Sequence, residues 1–204
     1  MTDHYFSADP AAPFAREPFT CEVWGHRLGL VSGSGVYSRG RLDVGTAVLL
    51  RETEPPAPGQ VLDLGTGYGV IGLAIAASWE ADQAPAEATV TGVEVNQRAV
   101  LLANENAAAL GLAERFRACA PDEVPPDAAY DEIWSNPPIR IGKQALHDLL
   151  LQWFARLRPE GRAVMVVGKN LGGDSLQTWL TDQGYPTVRL ASAKGFRVLE
   201  SRPD

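Results

Sequence analysis

The run Val61-Leu62-Asp63-Leu64-Gly65-Thr66-Gly67-Tyr68-Gly69 restricts this chain more than any other. Val61–Leu64 reads as a short buried strand. The glycines behind it let the backbone turn sharply and come close to a ligand at the N-terminus of a following helix. A strand–loop–helix unit of this kind needs parallel neighbours, and the sequence provides them. Thr89–Val95, Tyr130–Trp134 and Ala163–Val167 are further short apolar runs, the pattern of strands buried on both faces. Helix-like stretches lie between them. Asn96 is placed to cap a helix that runs to Gly111. Gly142 to Arg158 carries Leu146, Leu149, Leu150, Trp153 and Leu157 at helical spacing. Asp174 to Gly184 has similar start and stop signals. The alternation predicts an α/β, doubly wound, mostly parallel sheet with right-handed crossovers. Thr187–Ala191 and Gly195–Glu200 read as two strands joined by a tight turn, so the last strand should run antiparallel.

Residues 1–58 read as a lead-in. They hold a hairpin over Cys21–Val31 turning near Gly25-His26, a glycine-rich stretch at Ser32-Gly33-Ser34-Gly35, and a short helix from Asp43. Pro55-Pro56-Ala57-Pro58-Gly59 ends it. The expected division is an N-terminal extension over 1–58 and a cofactor-binding domain over 59–204. The first twenty residues contain Asp3, His4, Asp9, Arg16 and Glu17, which fits no signal-peptide core. The longest apolar run, Val70 to Trp79, is too short to span a bilayer. Cys21 and Cys119 lie far apart without ligand spacing, which suits a reducing cytoplasm. His4, His26 and His147 form no triad or ligand set, so neither a metal nor a membrane is expected. Net charge is −7, unlike a protein that coats nucleic acid. The charge is uneven, however: −9 over residues 1–129 and +2 over 130–204.

The glycine loop is ambiguous taken alone. Gly67-x-Gly69-x-x-Gly72 matches the dinucleotide pattern, with Glu94 at a suitable distance for a ribose-binding acid. Asp63 argues otherwise. A carboxylate two residues before Gly65 would face a pyrophosphate unfavourably, yet it suits a ligand carrying an ammonium and a sulfonium beside a ribose. That ligand is S-adenosylmethionine.

Asn136-Pro137-Pro138-Ile139 follows the fourth strand. Two prolines hold the backbone extended and remove two amide donors. An amide side chain and free carbonyls remain, all able to accept hydrogen bonds from an –NH₂ group. An amino nitrogen conjugated to a ring is a poor nucleophile because its lone pair is delocalised. If the Asn136 oxygen and the Pro137 carbonyl each accept one N–H, the nitrogen can pyramidalise and aim its lone pair at a methyl donor. Positioning and oriented dipoles then carry the transfer.

The block Val61–Gly69 resembles the first motif of class I methyltransferases. Asn136-Pro137-Pro138 resembles the signature of amino-group methyltransferases that act on nucleobases or on protein glutamine. His4-Tyr5-Phe6-Ser7, Gly35-Val36-Tyr37-Ser38, Leu42-Asp43-x-Gly45-Thr46, Asn136–Lys143 and Lys194-Gly195-Phe196 are similar to landmarks of the "methyltransferase small" family. That family includes bacterial ribosomal RNA (guanine-2-amino) methyltransferases. The resemblance covers nearly the whole chain. It implies a seven-stranded Rossmann-like sheet with an antiparallel last strand, S-adenosylmethionine as cofactor, and a guanine 2-amino group of ribosomal RNA as target. By it, Glu94 holds the ribose hydroxyls, with Gly65, Thr66, Gly67, Tyr68, Gly69 and Val95 around the cofactor. Asn96 touches the adenosine or caps its helix. Asp43 and Thr46 line the methionine end or open a helix. Asp122, or backbone alone, meets the adenine.

Departures from the family pattern also count. Several members carry an aromatic residue where Ile139 gives only an apolar contact, and Arg140 stands in place of a histidine. The duplicated second domain of the larger members has no counterpart. Arg39, Arg41, Arg140, Lys143 and Lys169 are candidates for phosphate contacts, or ordinary surface cations. Trp79, Trp134, Trp153 and Trp179 read as core. Methylation of a protein glutamine or a small metabolite is the alternative activity, and a cofactor-binding scaffold subunit the alternative outside the enzymes.

Overall fold

The computed structural model describes residues 14–81, 84–138 and 141–204. A hairpin of β1 (Arg16–Val23) and β2 (His26–Gly33) leads to α1 (Val44–Arg51). Then come β3 (Gln60–Leu64), α2 (Val70–Ala81), β4 (Thr89–Val93), α3 (Gln97–Ala109) and β5 (Phe116–Cys119). The second half runs β6 (Tyr130–Ser135), α4 (Lys143–Phe154), β7 (Leu157–Gly168), α5 (Gly173–Asp182), β8 (Thr187–Ala193) and β9 (Phe196–Ser201). Sheet order is β5-β4-β3-β6-β7-β9-β8. The first five of these strands are parallel, and β9 runs antiparallel to both β7 and β8. This is the doubly wound α/β class that the alternating pattern predicts.

Side chains alternate between the faces of a strand, and both faces are covered here. Val61 and Trp134 face α1, α2 and α3, as do Val164 and Val166 on β7. Leu62, Leu64, Ile133, Met165 and Val167 face α4 and α5. Asp63, between two apolar residues of β3, therefore points to the α2 side. Some differences from the sequence reading bear on the site. The second strand of the sheet in chain order, β4, ends at Val93, which releases Glu94 and Val95 from the ladder. Helix α4 ends at Phe154, and Leu157 starts β7 instead of continuing the helix. Residues 116–119 form an edge strand that is too short to show a period of its own.

The lead-in does not stand apart. Val23, Leu28, Leu30 and Val36 share one apolar core with Trp79, Leu102 and Val61, so residue 58 marks no break in packing. Asn106 of α3, 2% exposed, is the polar tie. Its Oδ1 accepts from Val31 N (2.8 Å), and its Nδ2 donates to Val31 O (3.0 Å) and Tyr68 O (2.9 Å). Among the described residues no helix is long and apolar enough to cross a membrane, and no group of His, Cys, Asp and Glu could hold a metal ion.

Candidate active site

Parallel register builds the site. Leu64 pairs with Val93 on one side and Ser135 on the other, and Val93 pairs with Cys119. The residues just past that row are Gly65, Glu94, Asn136 and Ala120, which leave neighbouring strands side by side, with roughly 4.8 Å between adjacent strands. The crevice lies at the carboxyl ends of β3, β4 and β6, where the winding direction reverses, which is where open α/β sheets hold ligands.

The glycine loop is held from below and open above. Gly65 N and Thr66 N donate to Val93 O at 2.9 and 3.1 Å. Gly67 has φ +57°, and a Cβ there would meet nothing within 4 Å. Backbone is thus bare to the cavity at that point. Gly72 is needed for a different reason. A Cβ would lie 2.5 Å from the Phe116 ring, and the bare α2 turn lets Gly72 N reach Asp63 Oδ2 at 2.8 Å.

Asp63 sits under this loop. Its side chain is fully buried, and Oδ2 also accepts from Thr66 Oγ1 at 2.6 Å. The loop, more than a ligand, is what it touches, and it is not among the residues lining the cavity. Oδ1 is buried with no hydrogen-bond partner. Burial pushes its pKa up to about 6, against the pull of the Thr66 and Gly72 hydrogen bonds, and the nearby Glu94 adds to the rise.

Glu94 enters the cavity itself. Oε2 accepts from Gly67 N at 3.1 Å and Oε1 from Asn96 N at 3.0 Å. Burial raises its pKa, while backbone hydrogen bonds oppose the rise. With the amide of Val95 also donating to it, the carboxylate still has acceptor capacity for a ligand hydroxyl. Asn96 caps α3 through Arg98 N (3.0 Å) and donates from Nδ2 to Gly35 O (2.7 Å), so it ties the loop after β2 to the cavity wall.

At the other end stands Asn136. Its Nδ2 donates to Asp43 Oδ2 at 2.8 Å and to Thr46 Oγ1 at 2.9 Å. Asp43 caps α1 through Thr46 N (3.0 Å) and accepts from Tyr37 OH at Oδ1 (2.8 Å). Asn136 Oδ1 has no partner among the described residues. Ile141 N takes the Pro138 carbonyl at 3.1 Å, and no described donor takes that of Pro137.

These groups bound one cavity of about 260 Å³. Of the expected residues, Asp43, Thr46, Gly65, Thr66, Gly67, Tyr68, Glu94, Val95, Asn96, Asn136, Pro137 and Pro138 line it. Gly69 lies behind the wall against Leu73 and Ala103. Asp122 is exposed, and its neighbour Pro121 supplies the wall. Arg39, Arg41, Lys143 and Lys169 are exposed, and Arg39 pairs with Glu17. Ile139 and Arg140 lie outside the described residues, as does His4-Tyr5-Phe6-Ser7. Sequence reasoning had not placed Tyr37, Leu149, Trp153 or Phe196 in the cavity. Tyr37 and Phe196 fall in stretches marked by the family resemblance, the one available signal; Leu149 and Trp153 read as ordinary helix-face residues. Gly45 is small because Phe196 and Asp43 Oδ2 would each lie 3.0 Å from a Cβ there.

The sequence profile of the methyltransferase small domain matches residues 27–200. The chain belongs to this family. It is 28% identical over 205 residues to the uncharacterised protein YbxB of Bacillus subtilis strain 168, with 99% of each chain covered. It is 34% identical over 205 residues to ribosomal RNA small subunit methyltransferase C of Pseudomonas entomophila, covering 96% of this chain and 57% of that one. Among solved structures, a T. thermophilus 16S rRNA N2 G1207 methyltransferase in complex with AdoMet and guanosine is similar with a TM-score of 0.79 at 25% identity. The match covers 96% of this chain and 52% of that one. The chain therefore spans a little over half the length of these ribosomal RNA methyltransferases. Family membership and fold make it an S-adenosylmethionine-dependent methyltransferase domain. The cavity fits that cofactor: bare backbone at Gly67, a carboxylate at Glu94, and an unpartnered buried carboxylate oxygen at Asp63 beneath the floor all favour a cation that carries hydroxyls.

Proposed function

We propose that this methyltransferase acts on an exocyclic amino group, the 2-amino group of a guanine in ribosomal RNA. The observation that carries the reading is the Asn136 amide. Both its N–H groups are consumed inside the protein, so an acceptor oxygen is what remains for the cavity. The likeness to a methyltransferase whose structure holds guanosine supports it. In this reading Glu94 takes the ribose hydroxyls, Gly65–Tyr68 and Thr46 border the methionine portion, and Val95 and Pro121 flank the adenine.

Bound S-adenosylmethionine supplies the electrophilic methyl group. Everything else belongs to the chain's own residues. Asn136 Oδ1 and the Pro137 carbonyl each accept one N–H of the substrate, which turns the nitrogen lone pair out of conjugation. Pro138, Phe196 and Tyr37 shape the space beside it. No strong base is needed before transfer, because the nitrogen proton turns acidic as the new bond forms. Holding the reactants in line is worth several kcal/mol of barrier, of order ~7 or more in well-oriented cases. Arg39, Arg41, Arg140, Lys143 and Lys169 are the proposed phosphate contacts, and the cytoplasm is the proposed compartment.

The test is nucleoside analysis of ribosomal RNA from a strain lacking the gene. Loss of one 2-methylguanosine, restored by the wild-type protein and not by Asn136→Ala, is the expected outcome. An unchanged RNA map together with methylglutamine missing from a protein would replace this reading with the second one. That second reading has one observation in its favour, the net charge of −7.

A further inference from the structure

We propose that Asp43 is a positioning residue: it sets which end of the Asn136 amide faces the substrate, and so selects a nucleophile that donates hydrogen at this point. The proposal rests on the amino-group reading above and names the residue that enforces it. An amide is nearly symmetric in shape, and its oxygen and NH₂ exchange by a half-turn about one bond. Packing alone cannot choose between them. A carboxylate can choose, because it has only acceptors.

Asp43 is well placed to do this. The Tyr37 hydroxyl holds its Oδ1 at 2.8 Å, and Thr46 N holds its Oδ2 at 3.0 Å. The same Oδ2 takes one Asn136 N–H at 2.8 Å, while the hydroxyl of Thr46, itself buried, takes the other at 2.9 Å. A flipped Asn136 would set its oxygen against a carboxylate and lose that bond; the Thr46 hydroxyl can turn to donate instead of accept, so the choice falls to Asp43. Donating to an anion also polarises the amide and makes Oδ1 a stronger acceptor. A substrate N–H group meets that oxygen favourably. A ring nitrogen with a free lone pair, or an oxyanion, meets acceptor against acceptor.

Asp43 also caps α1, so the test must separate capping from positioning. Ser and Asn both cap helices about as well as Asp. Asp43→Asn keeps an oxygen toward Thr46 N and Asn136 Nδ2, with its own NH₂ turned to the Tyr37 oxygen. Asp43→Ser caps the helix but is too short to reach Asn136. The first readout is the Asn136 side-chain amide pair in ¹⁵N-labelled protein without ligand, identified by its disappearance in Asn136→Asp. Its protons should exchange slowly with solvent in wild type and Asp43→Asn, and quickly in Asp43→Ser.

The second readout is methyl transfer to small ribosomal subunits. For Asp43→Ser, kcat at saturating cofactor should fall by about tenfold to a hundredfold, the effect of one or two lost hydrogen bonds, and Asp43→Asn should recover most of that loss. Equal exchange rates in wild type and Asp43→Ser overturn the proposal. So does a wild-type kcat in an Asp43→Ser protein whose amide has been released. The exchange measurement uses no acceptor, so absence of RNA methylation by the wild type overturns the substrate reading and leaves this one to be decided by exchange.

Discussion

At the scale of single residues the cavity has two ends that do different work, and point substitutions should separate them. Asn136→Ala removes the acceptor oxygen and touches nothing at the Glu94 end. Turnover should drop by about 10²–10³, the usual consequence of losing one transition-state hydrogen-bond partner, with cofactor affinity unchanged. Glu94→Ala should do the reverse and weaken cofactor binding by ~1.5–3 kcal/mol, since hydrogen bonds to a charged group are lost. Titration calorimetry with S-adenosylhomocysteine beside single-turnover kinetics checks both; one variant damaging both readouts would merge the two ends. Asp63 makes a prediction in pH. Its carboxyl titrates near 4 when unfolded and is raised to about 6 by burial in the fold. The folded state therefore binds more protons between those values, and stability falls as pH rises through that window. The total is about 3 kcal/mol at roughly 1.4 kcal/mol per pKa unit. Urea unfolding of wild type and Asp63→Asn should show their difference shifting toward the mutant by about that amount from pH 4 to pH 6.5, then staying flat. A difference independent of pH would mean that Asp63 is not strained by its burial.

Among the elements, α3 carries two asparagines that act as pieces of backbone. Asn104 faces the edge strand β5, its Nδ2 donating to Ala118 O (2.9 Å) and its Oδ1 accepting from Ala118 N (2.9 Å). This blunts an edge that would otherwise offer free ladder groups to another chain. Asn106 does the same for Val31 of β2 and reaches Tyr68 O as well. The hairpin is thus joined to the helix and to the glycine loop through one side chain. Asn106→Ala would strand three partly or fully buried backbone groups. It should cost about 2–4 kcal/mol, since each unsatisfied buried group costs on the order of 1–3 and partial solvation recovers some of it. Equilibrium urea denaturation measures this, and a loss below about 1 kcal/mol would show that water replaces the amide. The Asn106 tie also bridges the hairpin and the sheet's helix layer, which a proline-rich segment separates in the chain.

At the scale of the whole molecule, charge and size set how an RNA could be held. Net charge is −7, and the chain covers little more than half of the ribosomal RNA methyltransferases it matches. Each phosphate neutralised by Lys or Arg releases counterions, so activity on RNA should decrease with salt, with a shallow slope of about two to four in log–log form. Assembled small subunits should be better acceptors than naked 16S RNA, because protein and folded RNA add contacts that a free strand lacks. Steady-state rates from 50 to 300 mM salt on both acceptors check this; a flat response would remove the proposed phosphate contacts. Much of this architecture is written locally. Short, nearly continuous apolar runs place β3, β4, β6 and β7, glycines punctuate the loop, and Asn96 announces its helix, because each of these depends only on near neighbours along the chain. The sequence alone also isolates Asp63, Glu94 and Asn136 as unusual at strand ends. What the tertiary structure decided depends on register and packing. Pairing Leu64 with both Val93 and Ser135 sets Gly65, Glu94 and Asn136 in one row. The side to which Asp63 turns, beneath the loop, follows from which face α2 covers. Asp43 reaches Asn136 across 93 positions of sequence, and no local pattern encodes a hydrogen bond between residues that only the closed sheet brings together.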